Sequence, residues 1–118
     1  MVARVVAALL FALIVPLAEP AHASTLTVNS VACAQTGAYP GDPANYGTYS
    51  CTANVSGGTG SYSYVWTVST GWYPGYSFSG GQTITGVCKY NTVRINEVKV
   101  TDSAGATAYG TGSLVCRP

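Results

Sequence analysis

Residues 47–68 read GTYSCTANVSGGTGSYSYVWTV. Tyr49, Cys51, Ala53 and Val55 fall on one side of a two-residue period, and Ser50, Thr52 and Asn54 on the other. That alternation belongs to a strand with one face in a core. Gly57, Gly58, Thr59, Gly60 and Ser61 follow as a glycine-dominated connection. Tyr62, Tyr64, Trp66 and Val68 then alternate with Ser63, Val65 and Thr67, with Trp66 placed in the core phase. So short a link between two alternating runs predicts a β-hairpin.

The same grammar extends in both directions. Leu26 to Ala34 forms a first strand whose apolar phase slips between Val28 and Val31, the mark of a bulge or of a change of sheet. Thr36 to Gly47 is rich in Gly, Pro, Asn and Asp and reads as a long loop. Ser69 to Gly81 is irregular and aromatic. Thr83 to Tyr90 and Val93 to Thr101 are further strands, the second with a bulge expected near Asn96 and Glu97, where its apolar phase changes. Asp102-Ser103-Ala104-Gly105 suits a type I turn, and Ala106 to Cys116 is the last strand. No stretch of residues 24–118 has a helical apolar period. The chain is therefore predicted to be all-β, an immunoglobulin-like two-sheet β-sandwich of about six or seven strands with two disulfides.

Residues 1–23 have the layout of a secretory signal peptide. Arg4 precedes an apolar run from Val5 to Val15, Pro16 and Pro20 interrupt it, and Ala21-His22-Ala23 is a small-x-small cleavage site. A run of about 11 apolar residues is well short of the roughly 20 that span a bilayer. The expected organisation is a leader over 1–23 and one domain over 24–118, secreted or extracellular, with the periplasm as the alternative compartment. Cleavage removes Arg4, Glu19 and His22. Lys89, Arg94, Lys99 and Arg117 then stand against Asp42, Glu97 and Asp102, and the net charge stays at +1. With no basic patch, neither nucleic acid nor an anionic membrane is an expected partner. A surface so poor in charge draws its solubility from Ser, Thr, Asn and Gly, as extracellular bacterial β-domains do. Four cysteines in an exported chain imply two disulfides, and the absence of a C-x-x-C pair argues against zinc.

Two stretches resemble bacterial immunoglobulin-like domains of the PKD-like group. Cys51 to Trp66 is similar to that family's strand B, Gly-rich turn and strand C with its core tryptophan. Val98 to Ala108 is similar to the F–G hairpin. Trp66 is followed by Thr67-Val68-Ser69-Thr70-Gly71 rather than the family's acidic turn, so no property of that turn carries over. Family members often serve as spacers, adhesion modules or binding modules, which describes fold more than activity. In most immunoglobulin-like sandwiches the first and last strands run side by side. With Cys51 and Cys88 placed on strands of one core, the expected bridges are Cys51–Cys88 and Cys33–Cys116, with Cys33–Cys51 as the rival.

Chemistry is sparse. Without His22 no Ser–His or Cys–His pair can form. Asp42, Glu97 and Asp102 read as a loop, a strand and a turn residue rather than a glycosidase pair, and no enzyme activity, cofactor or metal is expected. A calcium site on Asp42 or Asp102 lacks a dense carboxylate motif. The stretch that stands out is Gly71 to Phe78, where Trp72, Tyr73, Tyr76 and Phe78 are interrupted by Gly and Pro. Exposed rings stack on sugars or anchor protein partners; the competing role for Trp72 or Phe78 is to fold back and cap a small core. Tyr39, Tyr46 and Tyr49 would extend such a surface if the first loop lies nearby. The leading expectation is a non-enzymatic binding or adhesion module for carbohydrate or an extracellular protein. A secreted inhibitor or effector of another protein and a structural surface or matrix component are the alternatives.

Ala21 and Ala23 occupy the two positions that signal peptidase reads. N-terminal sequencing of the exported protein is therefore expected to begin at Ser24; an intact Met1 on a membrane-bound product would contradict export.

Overall fold

The computed structural model describes residues 24–41, 44–68 and 76–118, and for Tyr76 the backbone alone. The leader expected over 1–23, Asp42, Trp72 and Tyr73 lie outside the described residues. Seven strands follow one another: β1 (Thr27–Ala38), β2 (Tyr46–Ser56), β3 (Tyr62–Val68), β4 (Tyr76–Gly80), β5 (Thr83–Lys89), β6 (Thr92–Asp102) and β7 (Thr107–Cys116). They form two antiparallel sheets, β1-β2-β5 and β4-β3-β6-β7. The immunoglobulin-like two-sheet sandwich is thus the fold.

The alternating runs of β2 and β3 are where the sequence placed them, but they are not a hairpin. β2 pairs with β1 and β5, whereas β3 pairs with β4 and β6. The link is a crossover between sheets, so the apolar phases of β2 and β3 face one core from opposite sides. Gly57, Gly58 and Gly60 all take positive φ, between 72 and 75°, a conformation open to glycine and costly for other residues. The arch is held from outside: Gly58 N–H donates to Ser24 O, and the Tyr62 hydroxyl to Gly57 O.

Two further expectations change. The first loop is shorter than predicted, because Thr36 to Ala38 continue β1 against β2 despite their glycine. The register shifts between Val28 and Ser30 and again between Gln35 and Gly37, so the bulge expected in this strand is present. Within the irregular aromatic segment, Tyr76–Gly80 is a strand pairing with β3. Ser and Gly hid it, since an edge strand backed by β3 needs little β-propensity of its own.

The core is formed by Trp66, Val68, Val98, Val100 and Leu114 from one sheet and Leu26, Tyr49, Cys51, Ala53, Ile84 and Cys88 from the other side. Trp66 is fully buried and its indole N–H donates to Gly81 O at 2.9 Å. Along one side β1 lies over β7. A Cβ on Gly110 would stand 2.4 Å from Val28 Cγ1, and one on Gly112 would stand 2.6 Å from Val31 O. These two positions must be glycine for the sheets to approach so closely.

The disulfides are Cys33–Cys51 and Cys88–Cys116, which overturns the expected pairing. Cys33 and Cys51 are directly opposite in the β1–β2 ladder with Cα atoms 4.0 Å apart. On β5 the residue opposite Cys51 is Ile84, and Cys88 lies four residues further on. That displacement is about 13 Å along a strand, too far for a bridge. Cys33 likewise comes against Gly112 of β7, four residues short of Cys116. Cys88 and Cys116 meet because the Tyr90–Asn91 turn brings β5 over the end of β7. Asn91 adopts φ 65° and its N–H donates to Cys116 O at 2.7 Å.

At the opposite end Asp102 joins two turns. Gly105 N–H donates to Asp102 O, closing the expected type I turn. One carboxylate oxygen accepts from Ala104 and Ala106 N–H, and the other from Thr59 N–H in the β2–β3 crossover. These N–H donors, Thr59 foremost, hold its carboxyl below the usual carboxylate range, against the opposing effect of burial. Because the pKa is lower folded than unfolded, the stabilisation is complete above the ordinary carboxylate value of about 4. It is lost as pH falls through the lower folded value. Asp102→Asn is expected to lower Tm by several degrees at neutral pH, with the gap to wild type closing in acid. Thermal melts from pH 7 to pH 2 check this; a gap independent of pH would remove the charged carboxylate from the account.

Candidate functional site

The strand ends define which connections share a surface. Ala38, Tyr46, Val68, Tyr76, Lys89, Thr92 and Cys116 all lie at one end of the sandwich. Three connections therefore leave it there: 39–45 between β1 and β2, 69–75 between β3 and β4, and Tyr90–Asn91 between β5 and β6. The C-terminal residues leave from the same end.

This end is tied down from several directions. Tyr39 N–H donates to Tyr46 O and Tyr90 N–H to Asn45 O, each at 2.9 Å. The Gln35 side-chain amide donates to Arg117 O at 2.7 Å and accepts from Arg117 N–H at 2.8 Å. A glutamine on β1 thus imitates a ladder rung and fastens the end of the chain. Thr92 Oγ1 donates to Lys89 O across the β5–β6 turn.

Beneath it lies a polar patch in the interior. The inward positions of β6 run Arg94, Asn96, Val98, Val100 and Asp102. Asn96 has no exposed surface. Its Oδ1 accepts from the Tyr49 hydroxyl at 3.3 Å and its Nδ2 donates weakly to Cys51 Sγ at 3.5 Å. Arg94 Nε donates to the Tyr49 oxygen at 3.4 Å, and the guanidinium carbon lies 5.7 Å from the Tyr49 ring centroid, within cation–π range. The Tyr49 ring in turn covers Gly86, its partner on β5. Among the described residues no buried side-chain nitrogen or oxygen lacks a partner, as a buried polar cluster requires.

The expected bulge at Asn96 and Glu97 is absent: β6 pairs with β3 and β7 without a shift. The phase stays constant and the polar residues sit in the inward positions, while Val93 and Val115 face each other outside, 49% and 47% exposed. Sequence reading missed Arg94 and Asn96. Counting back in twos from Val100 and Val98 would have found them, but the apolar Val93 and Ile95 argued for the other phase.

The aromatic residues divide. Trp72 and Tyr73 lie outside the described residues, and Tyr76 opens β4 opposite Val68. Phe78 is opposite Trp66 and packs, half-buried, against the core. Tyr39 is 38% exposed. Tyr46 is half-buried, on the outer phase of β2 opposite Lys89. Tyr49 does not extend a surface: it is 2% exposed and belongs to the interior. Tyr90, half-buried, packs on the core at this end.

The titratable groups are dispersed. Glu97 is exposed on the outer face of β6, while Asp102 faces inward on the same strand at the far end, its oxygens occupied by N–H donors. Among the described residues no three His, Cys, Asp or Glu side chains cluster in a metal-binding arrangement, and no helix is long and apolar enough to cross a membrane. No protein-family model, curated protein or solved structure matches the chain.

Tyr49→Phe leaves a buried Asn96 oxygen without its donor, at a cost of about 1–3 kcal/mol. Combined with Asn96→Ala in a double-mutant cycle, urea denaturation is expected to give a coupling of about 0.5–3 kcal/mol. Strict additivity would mean that the two side chains do not act together.

Proposed function

We propose that this protein is an exported, non-enzymatic binding or adhesion module of the PKD-like immunoglobulin group. Its ligand-contacting end is the one from which residues 39–45 and 69–75 leave the sandwich. One observation carries the reading. The two connections that bear Tyr39, Trp72 and Tyr73 depart from the same end, set by the β1–β2 rung at Ala38 and Gly47 and the β3–β4 rung at Val68 and Tyr76.

Other features support it. The Cys88–Cys116 bridge and the Gln35–Arg117 clasp hold this end to the sandwich, and a rigid base lowers the ordering cost of binding. Two disulfides suit an oxidising compartment, in keeping with export through the leader over 1–23. The two stretches that carry the resemblance each join neighbouring elements: Cys51 to Trp66 spans β2, the crossover and β3, and Val98 to Ala108 spans the β6–β7 hairpin. Tyrosine and tryptophan rings favour a ligand with flat faces, so a polysaccharide is the first ligand to test.

Pull-down on insoluble polysaccharides, cellulose, chitin and peptidoglycan among them, is expected to retain the wild-type domain. Ala at Trp72, Tyr73 and Tyr39 should weaken retention by about thirtyfold or more, the loss of an anchor worth roughly 2 kcal/mol, and leave Tm close to wild type. Trp66→Ala should instead lose about 3–5 kcal/mol of folding stability. If Trp72→Ala destabilises the domain as much as Trp66→Ala does, the loop is core and the binding reading falls. Retention by no polysaccharide, with a stoichiometric protein partner co-purifying, would point to an inhibitor or effector instead.

A further inference from the structure

The four strands with a free side differ sharply in how that side is protected. β1 carries two register shifts and lies over β7 through Val28 and Val31, so these two strands shield each other. β4 is five residues long. Among the described residues β5 has no comparable device. Its seven residues Thr83–Lys89 pair with β2 rung for rung without a shift, contain no proline and carry no charge before Lys89. Proteins ordinarily blunt such an edge with bulges, prolines, charges or a covering element, because its unpaired N–H and C=O groups are a template for another strand.

The ladder shows which groups are available. Ala53 N–H donates to Gln82 O, and Tyr90 N–H donates to Asn45 O. In an antiparallel pair the hydrogen-bonded rungs alternate, so the bonded rungs of β5 are Ile84 with Cys51, Gly86 with Tyr49 and Cys88 with Gly47. Thr83, Thr85 and Val87 therefore aim their backbone N–H and C=O groups away from β2. Among the described residues those groups have no hydrogen-bond partner.

We infer that the β5 edge is a self-association site, at which a second copy of this chain adds its own β5 antiparallel across a two-fold axis at Gly86. The residue pattern suits self-pairing. Centred on Gly86, the register places Thr85 opposite the partner's Val87 as a hydrogen-bonded rung on both sides of the axis, in phase with the outward-pointing groups. Gly86 meets its own copy at the closely spaced, non-hydrogen-bonded rung, where the absence of a side chain suits the short separation. Lys89 falls opposite Thr83, so like charges do not meet. The chain's net charge of +1 opposes the approach of two copies only weakly.

The outer faces also match. Ala32, Ala34, Ser50, Thr52, Thr83 and Thr85 make the outer surface of β1-β2-β5 small and uncharged. Joining two edges extends this surface over six strands, and Val87, 39% exposed in one copy, gains a partner across the new ladder.

Sedimentation velocity of the exported protein over a concentration series tests the assignment. Wild type is expected to shift from monomer to dimer as concentration rises. Thr85→Pro removes an outward N–H that β2 does not use, a position where an edge strand tolerates proline. It is expected to weaken dimerisation by about tenfold or more, since two symmetry-related hydrogen bonds are lost. Val87→Lys, which adds edge charges and leaves every β2 rung intact, is expected to do the same with circular dichroism and Tm retained; it decides the matter if Thr85→Pro fails to fold. A wild-type protein that stays monomeric throughout the series overturns the assignment. So does a dimer that persists unchanged in folded Val87→Lys protein.

Discussion

The bridge between Cys88 and Cys116 ties β5 of one sheet to β7 of the other, and the loop end of the molecule is built around it. A small domain of this kind buries a limited core and is correspondingly marginal. Closing a loop of 28 residues restricts the unfolded chain by about 3–4 kcal/mol in the entropic account, a large share of such a domain's stability. Its position matters as much as its size. The Tyr90–Asn91 turn can pass from one sheet to the other in two residues because the bridge and the Asn91–Cys116 hydrogen bond hold both strand ends together.

Below that bridge the interior is polar where most sandwiches of this size would be aliphatic. Arg94 and Asn96 occupy inward positions of β6, and Tyr49 reaches across from the opposite sheet to meet both. A half-satisfied version of this cluster would be worse than an apolar filling, because each unpaired buried group carries its full desolvation cost. The far end is organised differently. There the Asp102 carboxylate, accepting from the backbone N–H groups of Thr59 in the crossover and of Ala104 and Ala106 around its turn, does with one side chain what the disulfide does at the loop end. The sandwich is fastened at both ends, and the regular strands between them need only ordinary packing around Trp66.

The outer surfaces follow from this arrangement. Placing Arg94 and Asn96 inside turns Val93 outward against Val115. The glycines that let β1 settle over β7 close that side of the sandwich and leave β5, among the described strands, as its regular edge.

Local alternation was enough to identify the all-β class, the strands β2, β3, β5 and β7, and the core position of Trp66, because a two-residue period in a half-buried strand is written directly in the side chains. The Asp102 turn and the β6–β7 hairpin were legible for the same reason, as local turn chemistry. Pairing was not. Whether β2 folds back on β3 or crosses to the other sheet depends on three glycine φ values and on Ser24 and Asp102, residues distant in sequence. The cysteine partners depend on rungs: Cys51 meets Cys33 because of the β1–β2 register, and Cys88 is four residues too far along to reach it. The inward phase of β6 was equally hidden, since Asn96 is acceptable in the core only when Tyr49 and Cys51 arrive from another sheet. The aromatic loop was visible as composition, but its shared end with the first loop came from the strand order. Side-chain period is a property of neighbours along the chain, whereas register, bridging and convergence of loops are properties of neighbours in space.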